Sequence, residues 1–159
     1  MTLPEQMIRV ELLNSRITRI NALYAHFYGP LCLLAISLTF FPYYEPKPHS
    51  SINYGNLWQE VFRLGPSFDL MALVILLLTA LLLAVAAVGK LSTSGLIAIL
   101  VGATVVGSTL LQSPGYVDPP PYTDFGVFDI VLSFLTAGLA LGHAVHLFVL
   151  ELAFQRRGV

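Results

Sequence analysis

One cysteine and very few charges set the first limits. Cys32 has no second cysteine to pair with, so neither an intramolecular disulfide nor a thiolate metal site can form within the chain. A free cysteine inside an apolar run packs as a small hydrophobe. Asp, Glu, Lys and Arg make up 11% of the 159 residues, against about 25% in an ordinary soluble domain. A soluble fold of this length would need a charged surface that these residues cannot supply. The net charge of −1 gives no basis for nucleic-acid binding. Walker, G-x-S-x-G and H-E-x-x-H motifs are missing, as are paired carboxylates within the apolar runs. No catalytic site or polar transport path is visible. Residues 1–22 carry Glu5, Arg9, Glu11, Arg16 and Arg19 ahead of the first apolar run, too polar a stretch for a cleavable signal peptide.

What the chain does have is hydrophobic sequence, 56% of it, gathered into four runs. They cover about 23–41, 70–88, 96–111 and 128–150, the third extended by Thr93, Ser94 and Gln112 into a span of about 94–112. A hydrocarbon core about 30 Å thick requires about 20 apolar residues of helix. The expected fold class is therefore an all-α integral membrane protein, a single four-transmembrane-helix bundle. Arg9, Arg16, Arg19, Lys90, Arg156 and Arg157 fall on one side of that topology and only Lys47 and Arg63 on the other. The positive-inside rule then places both termini in the cytoplasm, in a multi-pass plasma-membrane protein. Within the N-terminal segment, Val10, Leu13, Ile17 and Ile20 recur at helical spacing beside the arginines. That pattern suits either a short helix on the inner membrane surface or an extension of the first span. Pro30 should kink the first helix or mark its true start.

The outer loops, 42–67 and 113–127, open on similar proline- and tyrosine-rich sequence and close on Phe68-Asp69-Leu70 and Phe128-Asp129-Ile130. This suggests two parallel helical hairpin repeats related by an axis along the membrane normal. Asp69 and Asp129 are expected in the first turns of their helices, where the macrodipole favours a carboxylate; an ion or proton entry site is the functional alternative. Trp58, Tyr116, Pro119, Pro120 and Pro121 are candidate outer-loop contacts, the prolines forming a stiff polyproline segment. Aromatic residues at both ends of the spans read as interfacial belts.

His26, His143 and His146 are expected at one depth. They could bind a haem or metal ion, but hydrogen bonding across helices or to lipid headgroups is the simpler account, and no cofactor is expected. Ala98, Gly102 and Gly107 on the third span and Gly138 and Gly142 on the fourth are spaced for close helix packing, on each other or on a partner. The second span, nearly all Leu, Val and Ala, is expected to face lipid.

Two resemblances follow. Four spans and a first outer loop containing Gly55-Asn56-Leu57-Trp58 resemble the claudin layout, although the two loop cysteines are missing and Asn56 interrupts the Gly-Leu-Trp element. The segment Asn56-Leu57-Trp58-Gln59-Glu60-Val61-Phe62, followed by Asp69 and a Leu/Val/Ala helix, resembles small uncharacterised four-span proteins of high-GC Gram-positive bacteria. That resemblance implies a plasma-membrane location and no particular activity. The expected role is non-catalytic, an accessory or assembly subunit with lipid and other membrane subunits, or its own copies, as partners. The alternatives are a redox subunit using the three histidines and a small transporter or channel.

Overall fold

The computed structural model describes residues 3–46, 55–64, 68–112 and 120–156, with the side chains of some helix-end residues, Asp69 among them, outside that description. It contains α1 (Leu3–Leu38), α2 (Leu57–Leu64), α3 (Phe68–Ala87), α4 (Thr93–Leu111) and α5 (Asp124–Arg156). Helices α1, α3, α4 and α5 are each long and apolar enough to cross a membrane. They pack as a ring, α1 on α3, α3 on α4, α4 on α5 and α5 back on α1. Large apolar side chains cover the outside, among them Leu33 at 69% exposure, Leu81 at 62% and Leu135 at 62%. Water would disfavour such an exterior, whereas it is compatible with a multi-pass membrane protein.

Each helix boundary has a local cause. The first helix ends at Leu38 rather than Phe41. The residue before a proline disfavours α backbone, and Pro42 follows directly. The last turn tightens instead, with the Thr39 and Phe40 amides bonded to Ile36 and Ser37 carbonyls, both at 3.2 Å. At the other end α1 runs without a break from Leu3 through Pro30, so the N-terminal segment is a helical extension and not a separate surface helix. Gly89, at φ +70°, turns the chain after α3 in the left-handed conformation that glycine adopts freely. Ser92 caps α4, accepting from the Gly95 amide at 3.3 Å.

Helix α2 was not expected. Its signal is a capping box: the Asn56 side chain accepts from the Gln59 amide at 2.9 Å and the Gln59 side chain from the Asn56 amide at 3.2 Å. Leu57 then buries against Leu73 and Leu76 of α3. Helix α5 begins before the apolar run, because Thr123 caps it by accepting from the Gly126 amide at 3.1 Å.

The second span is only half outward-facing, which corrects the lipid-facing expectation. Ala72, Leu73, Leu76, Thr79, Ala80, Leu83 and Ala86 of α3 are buried at helical spacing, while Met71, Val74, Leu78 and Leu81 are exposed. The core has two clusters, one around Tyr28, Leu83, Leu96, Ile99 and Ala140 and one around Tyr43, Leu73, Leu76, Val106 and Ile130.

Two glycines in α5 separate filled from empty space. A Cβ at Gly126 would run into the Tyr43 carbonyl, and one at Gly138 would meet nothing within 4 Å. Gly126→Ala should therefore lower stability by about 1–3 kcal/mol, the usual cost of overpacking. Gly138→Ala should be neutral or stabilising by up to about 1 kcal/mol through helix propensity. Thermal unfolding of both variants in detergent checks the contrast.

Candidate functional site

The end of the bundle where α1 stops and α5 starts is built by pairing the two chain segments. The Glu45 amide donates to the Pro121 carbonyl and the Thr123 amide to the Tyr43 carbonyl, each at 2.9 Å. The Thr123 hydroxyl donates to the Pro42 carbonyl at 2.6 Å, while the Tyr122 hydroxyl reaches the Leu110 and Leu111 carbonyls at the end of α4. Tyr44 lies against Tyr122, and Phe41 stacks on Phe125 with ring centroids 4.3 Å apart.

That clamp holds Tyr43 over Asp129. The carboxylate is 1% exposed and accepts a hydrogen bond from the Tyr43 hydroxyl. Burial, reinforced by the adjacent carboxylate, pushes the Tyr43 phenol well above its usual range, so it stays a donor. The first-turn expectation for Asp129 is thus corrected. Because Thr123 starts the helix early, Asp124 takes the first-turn place and Asp129 lies a turn deeper, facing inward. Asp69 does fall in the first turn of α3, with its side chain outside the described residues.

Below Asp129 is a small cavity of about 20 Å³, bordered also by Thr79, Ser133 and Thr136. About 10–15 Å³ suffices for one water, so the space suits a water-sized particle and excludes an organic substrate. The Thr79 and Thr136 hydroxyls donate to the Ile75 and Leu132 carbonyls, both at 2.8 Å. What they can offer the cavity is therefore lone pairs. Among the described residues no second carboxylate and no base borders it. A Cβ on Gly102 would strike the Thr79 hydroxyl, so this glycine makes room for a polar side chain of α3.

The candidate loop residues divide. Trp58, on α2, donates its indole N–H to the Thr39 hydroxyl at 2.9 Å and stacks on Phe40. Pro120 is buried, and Pro121 is exposed but carries the carbonyl that Glu45 uses. Tyr116 and Pro119 lie outside the described residues.

At the opposite end the three histidines separate. His143 is 3% exposed and has both ring nitrogens occupied. Nε2 is 2.9 Å from the Asn21 amide oxygen and Nδ1 is 3.0 Å from the Tyr28 hydroxyl. An amide oxygen only accepts, so Nε2 carries the proton and Nδ1 accepts from Tyr28. Tyr24 stacks flat on the imidazole at 4.1 Å. His26 and His146 are exposed and border a surface groove instead. Among the described residues, no three His, Cys, Asp or Glu side chains converge in a way that could hold a metal ion.

The small residues separate as well. Gly107 of α4 takes the Phe134 ring and Ser133 of α5, whose atoms would lie 3.1–3.2 Å from an added Cβ. Ala98, Gly138 and Gly142 are exposed. A Cβ on Gly142 would meet only the Tyr24 hydroxyl, at 4.0 Å. The G-x-x-x-G pair of α5 is therefore not what joins α4 to α5; Ala140, one cluster with Leu96 and Ile99, lies on that face instead. Sequence spacing shows that two glycines share a helix face and leaves open which way that face points.

Comparison with protein-family models, with curated proteins and with solved structures finds no match for this chain. The Tyr43–Asp129 contact is accessible to a double-mutant cycle. Tyr43→Phe should cost about 1.5–3 kcal/mol, as for hydrogen bonds to charged groups. The pair Tyr43→Phe with Asp129→Leu should cost less than the sum of the single changes; additive unfolding energies would show that the two groups act independently.

Proposed function

We propose that this is a non-catalytic multi-pass plasma-membrane protein with cytoplasmic termini, acting as an accessory or assembly subunit that receives another transmembrane helix against α5. The observation that carries this reading is the open space at Gly138. A mid-helix glycine with no neighbour in its own bundle leaves a shallow notch. Phe134, Leu135 and Leu139 border it, in a groove of about 510 Å³ that also includes Ile130 and Val131. Gly138, Leu141, Gly142 and Val145 continue the exposed face at helical spacing. In lipid, helix association depends on close van der Waals packing rather than on water exclusion, and small residues permit the approach. The partner is a helix of another subunit or of a second copy.

The basic residues on one side support the orientation. The small volume beneath Asp129 and the occupied nitrogens of His143 favour a structural use of these buried polar groups over chemistry at them.

A photo-crosslinking residue at Leu141, activated in native membranes, should give a discrete higher-mass adduct. Gly138→Leu should abolish that adduct without lowering the thermal stability of the isolated protein. If no adduct forms at Leu141, the docking role fails.

A further inference from the structure

At the histidine end, a groove of about 560 Å³ runs between α1 and α5. Arg16 and Arg19 of α1 border it, followed by Leu23 and His26 on the same helix face, with His146 and Leu150 opposite on α5. No carboxylate among the described residues borders this groove. Among the described residues neither arginine forms an ion pair. Arg16 instead lies with its guanidinium carbon 5.8 Å from the centroid of the Phe154 ring. A guanidinium resting on an aromatic face keeps its edge N–H groups available. Leu23 and Phe27, beside the basic residues, are 57% and 55% exposed, so the groove sits where apolar helix surface gives way to charge.

We propose that this groove holds one anionic phospholipid, with its phosphate on Arg16 and Arg19. The planar guanidinium fork matches phosphate oxygens in a bidentate way. The leucine walls accept the glycerol backbone and the first methylenes of an acyl chain. His26 and His146, deeper in, stand where an imidazole N–H can meet an ester carbonyl. A soluble anion would use the arginines alone and leave the apolar walls uncovered, whereas basic pockets between transmembrane helices suit lipid headgroups. The proposal rests on the membrane placement of the helices and not on the docking role of α5.

The full chain, purified in a neutral detergent and given equimolar phosphatidylglycerol and phosphatidylcholine, can be examined by native mass spectrometry. One phosphatidylglycerol per chain should be retained in preference. Arg16→Gln with Arg19→Gln should reduce that preference by about thirtyfold, as expected for two basic contacts of about 1 kcal/mol each. Lys90→Gln, at the same end of the bundle but outside the groove, should leave it unchanged, and Arg19→Gln alone should give an intermediate loss if the double variant folds poorly. Equal retention of both lipids, or an equal loss in Lys90→Gln, overturns the site while leaving the membrane placement standing. Retention of neither lipid likewise overturns the site and leaves the membrane placement standing.

Discussion

A carboxylate placed among apolar helices needs a donor held where it cannot drift away, and Tyr43 meets that need for Asp129. An unpartnered buried carboxylate would be strongly destabilising, so the position of Tyr43 constrains everything around it. Tyr43 lies beyond the end of α1 and has no helix of its own to hold it. Its place is set by the tight turn after Leu38, by Pro42, and by the backbone bonds to Pro121 and Thr123. Gly126 is part of the same arrangement, since only a residue without a side chain lets α5 pass the Tyr43 carbonyl.

The contacts at the two ends of the bundle solve one topological problem. Three of the four sides of the ring join helices that are neighbours in sequence among the spans. The fourth side, α1 against α5, joins the first to the last with no loop to hold them together. Long-range polar contacts collect there: Tyr43 to Asp129 at one end, and Asn21 and Tyr28 to His143 at the other. A hydrogen bond in a low-dielectric interior is directional and strong enough to fix register, which apolar packing between smooth helices does less well. On this view the buried polar residues close the ring.

What closes the interior leaves the exterior unfinished. Gly102 and Gly107 of α4 are consumed by neighbours inside the bundle, while Gly138 and Gly142 of α5 look out. The same helix thus supplies the closing contacts on one face and a notched surface on the other. The α5 residues beside the notch at Gly138 differ from His146 and Leu150, which α5 gives to the arginine-lined groove, so the proposed helix docking and the proposed lipid site do not call on the same side chains.

Hydrophobicity alone was enough to identify four long helices and their order, because runs such as 70–88 have no charge and no proline to interrupt them. Capping chemistry at Asn56–Gln59 and at Thr123 was also readable, and would have located α2 and the early start of α5. Which way each helix faces was not. In a uniformly apolar helix the polar and apolar faces that normally reveal orientation are almost absent, so α3 reads as lipid-facing although half of it is buried. Direction within the bundle depends on contacts between residues such as Tyr43 and Asp129, or Tyr28 and His143, far apart in sequence. Only the tertiary structure brings those pairs together, and with them decides that His143 leaves its two companions and that Gly138 points outward.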